Sequence, residues 1–367
     1  MKRIGNLYPK LISDENLIAA IDEVNKSHRW HHYPKKPNSL TLWVEQTKAE
    51  RVKELRKIIE NGFVQSPVTE KRRYDANARK WRNIKEPRLW PDQYVHHALI
   101  QVLEPIMMRG MDHFCCGSIK GRGAHYGIRV IKKWMKNDVK GTRWCIEMDI
   151  RHFYDSLKPE EVLERMKQLI KDHRVLDLIE RVTCDGIMIG FYTSQWFANT
   201  FLQPLDVLIR KSGATHYIRY LDNFTVFTNR KKAASRIIKI TGKWLTDHGL
   251  TLKGNWQKFR TRFRMPNALG YKFGRGYTLI RKHSLLRLRR QIIQFYRRRE
   301  RGQYITLKFA QGLLSRLGML RHCNSQSIYE RYVPEKTQRK LKDIVRSYQK
   351  EANISWSTFL EPSQEAA

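Results

Sequence analysis

Apolar residues recur at helical spacing near the start of the chain. The acidic pair Asp14 and Glu15 precedes Leu17, Ile18, Ile21 and Val24, and Leu42, Val44, Val52, Leu55 and Ile58 carry a helical pattern across residues 40–59. Residues 14–62 are therefore predicted to be helical, interrupted by the turn-rich connector His31-His32-Tyr33-Pro34-Lys35-Lys36-Pro37-Asn38. Residues 69–90 instead alternate basic, aromatic and small side chains, as an exposed hairpin would, and Pro91-Asp92 opens a helix through Val95, Ala98, Leu99 and Leu103. A short apolar strand is predicted over 143–150, with Asp149 near its end. A second, over 216–220, runs into Leu221-Asp222-Asn223 and resumes as Phe224-Thr225-Val226-Phe227. Strand, acidic turn and strand together predict a β-hairpin with a carboxylate at its tip. Helical spacing returns at 231–245 and again at 284–301, where Leu285, Leu288, Ile292 and Phe295 share one face. Residues 353–367 show no such pattern and read as a flexible tail.

Composition changes this picture mainly through charge. The 367 residues hold 71 Lys and Arg against 35 Asp and Glu, a formal net charge of +36. With 41% apolar residues, including 10 Trp, 16 Tyr and 14 Phe, the chain has material for real cores, which excludes disorder as a whole-chain description. So basic a chain calls for a polyanion, with nucleic acid ahead of an anionic membrane surface. No run approaches the roughly 20 apolar residues that cross a bilayer, and the N-terminus lacks the apolar core of a secretory signal, so a soluble, cytoplasmic protein is expected. Five cysteines without CxxC spacing read as reduced, mostly buried thiols rather than a zinc site or disulfide framework, and His31 and His32 have no partner at ligand spacing.

The candidate chemistry lies at two strand ends. Asp149 and Asp222 occupy equivalent positions, and neighbouring strands would bring them to one sheet edge. Two such carboxylates are what two-Mg²⁺ phosphoryl transfer requires, because hard oxygen ligands hold the ions. Taken singly, each aspartate is equally a strand-end turn former. The surrounding residues favour the first reading: Met148-Asp149-Ile150-Arg151-His152-Phe153-Tyr154-Asp155-Ser156-Leu157 resembles the first catalytic palm motif of reverse transcriptases, and Tyr220-Leu221-Asp222-Asn223 resembles their YxDD box. Between them, Gly186-Ile187-Met188-Ile189-Gly190-Phe191-Tyr192-Thr193-Ser194-Gln195 stands where that family's template- and nucleotide-positioning helix begins. Lys80-Trp81-Arg82 resembles the fingers hairpin, Gly121-Arg122-Gly123-Ala124-His125 the glycine-containing turn after the fingers helix, and Leu250-Thr251-Leu252-Lys253 and Leu269-Gly270-Tyr271 the last palm motifs. The resemblance covers about residues 69–325, and its Ile189-Gly190…Ser194-Gln195 pattern is similar to the IGxxxSQ of diversity-generating retroelement enzymes rather than the QGxxxSP of retroviral and group II intron enzymes. Leu279-Ile280-Arg281-Lys282 and Ser315-Arg316-Leu317-Gly318 are similar to the same group.

The resemblance implies an α+β right-hand polymerase. It would have an N-terminal helical extension (1–68), fingers (69–140), a palm with a small antiparallel sheet (141–278) and a helical thumb (279–352). Asp149, Asp222 and the Ile150 carbonyl would hold two Mg²⁺ ions, with Mn²⁺ as a substitute. Lys80 and Arg82 would grip the triphosphate. Tyr154 would exclude a ribose 2′-OH, Ser194 and Gln195 would line the nucleotide or template pocket, and Lys253 would protonate pyrophosphate, with Lys258 as competitor. Leu269, Gly270 and Tyr271 would form the primer grip, while Arg281, Lys282, Arg287, Arg289 and Arg290 would follow an RNA/DNA hybrid. The implied substrates are dNTPs and a dedicated noncoding RNA template in a bacterial or phage-encoded system, with an accessory protein or a second copy as further partner. Antiphage defence, with protein-primed or template-independent synthesis, is the neighbouring role, and a non-catalytic RNA-binding shell is the rival class. One position departs from the family pattern: Asn223 stands where the second Asp of YxDD would be, which removes one negative charge from the site.

Overall fold

Ser13 starts the first long helix, its hydroxyl accepting from the Asn16 backbone N–H at 3.3 Å. That helix, Asp14–His28, buries Leu17, Ala20, Ile21 and Val24. The computed structural model describes residues 2–29, 37–75 and 80–350; most of the His31–Asn38 connector and the expected tail at 353–367 lie outside them. The stretch from residue 40 to 59 is two helices, Ser39–Gln46 and Lys48–Glu60. They part at Thr47, which leaves helical geometry (φ −108°, ψ 27°) while its hydroxyl donates to the Trp43 carbonyl at 2.8 Å. This layer packs on the helix Tyr94–Met108, whose buried residues include Val95, Ala98, Leu99 and Leu103. Regular helix begins at Tyr94 rather than at Pro91, because Leu89–Gln93 forms a wider π-type turn first.

Strands β1 (Thr69–Asp75) and β2 (Lys80–Glu86) form the expected hairpin, with Thr69 opposite Glu86. Its root is tied down where the Lys85 N–H donates to the Ile189 carbonyl at 2.9 Å.

The central sheet contains β3 (Trp144–Asp149), β4 (His216–Tyr220), β5 (Asn223–Thr228) and β6 (Gln257–Arg260) in the order β4-β5-β3-β6, all antiparallel. Its side chains alternate between two cores. Ile146, Met148, Tyr217, Phe224 and Val226 join the larger core, which includes the helix Lys231–Asp247. Cys145, Ile218 and Phe227 face the opposite core, built on the helix Ala124–Asn137. Burial on both faces explains why these strands read as nearly continuous apolar runs. A smaller sheet follows, of β7 (Asn267–Ala268), β8 (Tyr271–Phe273) and β9 (Thr278–Ile280). Leu279 and Ile280 thus belong to a strand, and the basic helix starts at Lys282 and runs to Glu300. That helix buries Leu288, Ile292 and Phe295 against the helices Leu307–Leu320 and Glu335–Lys350 in a third core. Cys115, Cys116 and Cys145 are buried free thiols, whereas Cys184 is exposed. Among the described residues no helix is long and apolar enough to cross a membrane.

Candidate active site

Strand register brings the two aspartates together. Asp149 ends β3 directly opposite Asn223, the first residue of β5, and Tyr220 pairs with Asn223 across the two-residue loop Leu221-Asp222. The Ile150 N–H donates to the Asp222 carbonyl at 3.2 Å and the Lys253 N–H to the Asp149 carbonyl at 2.9 Å, joining three chain segments at one point. Leu221 adopts φ 55°, a conformation that costs a branched side chain energy. A buried network holds it there. Arg219, fully buried, donates to the Leu221 carbonyl at 3.1 Å, to both oxygens of Asp206 at 2.8 Å and to Asn199 Oδ1 at 2.8 Å. Asn199 in turn donates to the Gly117 carbonyl at 2.8 Å, and a Cβ on Gly117 would come within 2.8 Å of the Leu221 nitrogen. Sequence reasoning missed this support. Its signal was an arginine inside an otherwise apolar strand and an aspartate on the buried side of the helix Gln203–Lys211.

Burial and then the negative charge of Asp149 push the Asp222 carboxyl up to about 6. Asn223 acts in the opposite direction, its Nδ2 donating to Asp222 Oδ1 at 2.8 Å. Lys253 Nζ lies 3.0 Å from Asp149 Oδ2, so an ammonium already balances one of the two carboxylates. Mutually repelling carboxylate oxygens form a donor set that suits a hard divalent ion. Asp149, Asp222 and Ile150 fit such an ion. Among the described residues no third His, Cys, Asp or Glu joins them.

A cavity of about 470 Å³ above the carboxylates is lined by Arg82, Asp149, Ile150, Tyr154, Gln195, Asp222, Asn223 and Lys253, which were singled out from separate stretches of sequence. Tyr154 stands on the short helix Phe153–Ser156, and its hydroxyl pKa is raised by burial and by Asp222. One expected member is differently placed. Ser194 is buried within the helix Tyr192–Phe201 and does not line the cavity; nor does it cap the helix, whose N-cap is Phe191. Lys80 pairs with Asp75 through its backbone, and its side chain is outside the description. Lys258 donates to Ser235 Oγ at 2.8 Å and does not line the cavity, which leaves Lys253 as the lysine lining it among the described residues.

Asp149 and Asn223 also border a second cavity, of about 650 Å³, walled by Leu269, Gly270 and Arg281. Leu269 (φ 51°) and Gly270 (φ 92°) form the turn between β7 and β8. Tyr271 is buried, and its hydroxyl donates to the Met319 carbonyl at 2.8 Å. The basic residues 281–290 do not form one uniform row. Arg281 donates to Asn267 Oδ1 at 2.5 Å in the cavity wall, and burial lowers its guanidinium pKa. Arg287 is half-buried, Arg289 lies 5.3 Å from the Tyr332 ring, and Lys282 and Arg290 are exposed.

A carboxylate-edged antiparallel sheet, a docked hairpin and a helical unit beyond it make up the architecture of a right-hand polymerase. Residues 70–273 match the family model described as reverse transcriptase (RNA-dependent DNA polymerase), and the chain belongs to that family. Protein YkfC of Escherichia coli (strain K12) is 22% identical over 323 residues, covering 75% of this chain and 83% of that protein. The group II intron-encoded protein LtrA of Lactococcus lactis subsp. cremoris is 23% identical over 180 residues, 48% of this chain and 28% of LtrA. The structure of apo telomerase from Candida tropicalis superposes with a TM-score of 0.46 at 13% identity, over 87% of this chain and 63% of that one.

Proposed function

We propose that this chain is an RNA-directed DNA polymerase that copies a dedicated noncoding RNA into DNA by two-metal nucleotidyl transfer. The observation that carries the reading is the convergence of Asp149 and Asp222, close enough for one to raise the other's pKa, on the floor of a cavity that also holds Arg82 and Lys253. Asp149, Asp222 and the Ile150 carbonyl would hold two Mg²⁺ ions, or Mn²⁺, whose chemistry is to activate a primer 3′-oxygen and neutralise departing pyrophosphate. The chain's own residues then do the positioning. Arg82 orients the dNTP triphosphate through a bidentate guanidinium, and Gln195 lines the nucleotide's side of the cavity. Lys253 Nζ gives a proton to the leaving pyrophosphate oxygen. Leu269 and Gly270 support the primer terminus, and Lys282, Arg287, Arg289 and Arg290 follow the hybrid backbone. Asn223 keeps Asp222 oriented through its hydrogen bond without adding a third negative charge.

Purified protein with an RNA template, an annealed DNA primer, labelled dNTPs and Mg²⁺ is expected to yield a DNA product that Asp149→Ala does not make. No product across several RNAs, with Mn²⁺ also tried, would refute the polymerase reading and leave the RNA-binding shell, which the neutral Asn223 favours. The Ile189-Gly190…Ser194-Gln195 pattern supports a diversity-generating retroelement enzyme with an accessory partner; the defence role shares the same chemistry. Tyr154→Val is expected to raise the rNTP-to-dNTP ratio of kcat/KM by at least about tenfold, or about 1.4 kcal/mol of discrimination. An unchanged ratio in single-nucleotide kinetics would make Tyr154 a packing residue.

A further inference from the structure

The end of the central sheet remote from Asp149 carries a third concave surface. It is a cavity of about 1060 Å³ bordered by the loop after the helix Ala124–Asn137, by residues 260–265 and by the β8–β9 turn. Seven of its lining residues are Lys or Arg and none is acidic, in a chain whose overall ratio is 71 to 35. Arg275 is structural, donating to Thr142 and to Thr261 Oγ1 at 2.8 Å, and so clamping two walls together. The other six, Lys136, Lys140, Arg143, Arg260, Arg262 and Arg264, are exposed and form no salt bridge among the described residues. Asp138, in the bordering loop, has its oxygens taken by the Gly141 N–H at 2.7 Å and by His216 at 2.8 Å.

Aromatic rings stand among these cations. Phe263 is 75% exposed and Tyr277 46% exposed at the rim. Arg260 lies over Trp144 at 5.3 Å, Arg264 over Phe259 at 4.7 Å and Arg262 near Phe263 at 6.0 Å. Unpaired cations that track a backbone, interleaved with accessible rings on which bases can stack, are the recognition chemistry of a single-stranded nucleic acid. Trp144 and Asp149 are the two ends of β3, about 17 Å apart at strand rise. Arg264 lines both this cavity and the one beside Asp149, so the two adjoin.

We propose that this basic, aromatic cavity is a second nucleic-acid site that holds an unpaired segment of the RNA outside the duplex being synthesised. The choice of RNA over DNA rests on the polymerase reading, since a DNA product stays paired to its template and the strand left unpaired is RNA. The site tethers the enzyme to its RNA through backbone charge and base stacking, without contributing to nucleotide addition.

The test uses the full chain and a fluorescein-labelled single-stranded RNA of about 20 nucleotides, read by anisotropy across a salt series. Lys140→Glu with Arg143→Glu and Arg262→Glu is expected to weaken RNA binding more than tenfold and to flatten its log–log salt dependence by about two units. Phe263→Ala alone should weaken it about fivefold or more with the slope unchanged, separating stacking from charge. Arg143→Lys with Arg262→Lys should retain the slope, which controls for folding. Extension of a short primer–template duplex that ends within the catalytic cleft should be unchanged in all variants. Equal affinity and slope in the triple variant would overturn the proposal. So would an equal loss for a duplex of the same sequence, or a loss confined to phosphatidylserine-containing vesicles. Binding is read without catalysis, so an inactive enzyme would refute the polymerase reading and leave the site to be decided by these titrations.

Discussion

Asp222→Asn is expected to cut nucleotide incorporation sharply while making the metal-free protein more stable at neutral pH. The Asp222 pKa is raised to about 6 by burial and by Asp149, so the folded chain binds that proton more tightly than the unfolded chain does. A raised carboxyl contributes stability that is present below the unfolded pKa, near 4, and is lost as pH rises through about 6. Above that, the ionised pair costs the fold on the order of 3 kcal/mol. The amide removes the charge and keeps the oxygen that accepts from Asn223. In EDTA at pH 7.5 the variant should melt a few degrees above the parent, and the gain should shrink towards pH 5. Mg²⁺ should stabilise the parent and not the variant, and incorporation should fall by about 10² to 10³-fold or more. A variant that melts lower in EDTA at pH 7.5 would mean that the two carboxylates are not in conflict. One that still incorporates dNTPs at the parent's rate would remove Asp222 from the chemistry.

The sequence made this pair visible because each aspartate follows or ends a short apolar strand within a stretch that resembles a reverse-transcriptase palm motif. Asp149 opposite Asn223, with Asp222 one step away in the turn, is what that pattern implies. What supports the pair was not visible. Arg219 and Asp206 are joined only once β4 packs on the helix Gln203–Lys211, and neither position's pattern names its partner. Periodicity gives the face a residue occupies, not the group it meets. Ser194 was therefore expected in the pocket that Gln195 lines, and the thumb-facing bond from Tyr271 to Met319 was not foreseen. Arg281 illustrates the same limit, because a charge within a basic run is indistinguishable in sequence from its solvated neighbours until Asn267 closes on it.

Gly190 shows how far a single backbone position reaches into the site, and Gly190→Ala is expected to cut kcat/KM for dNTPs by about 10²-fold. The residue holds φ +122°, which L side chains rarely adopt, and an added Cβ would stand 2.3 Å from the Lys85 carbonyl oxygen. That oxygen belongs to the backbone of β2 and cannot swing aside. Relief therefore has to come from lifting the hairpin root, which breaks the bond from the Lys85 N–H to the Ile189 carbonyl. Arg82 rides on the same strand, three residues away, so the guanidinium proposed to orient the triphosphate moves with it. Asp149 and Asp222 sit on other elements, so the Mg²⁺ dependence and the pH profile should stay as in the parent. Gly186→Ala is the matched control, since Gly186 holds φ +110° but nothing lies within 4 Å of its Cβ. Backbone strain should cost that variant about 1–3 kcal/mol of stability with KM unchanged, whereas Gly190→Ala should lose both stability and nucleotide affinity. Equal kinetics in the two variants would mean that the hairpin's attachment at Lys85 does not position the nucleotide.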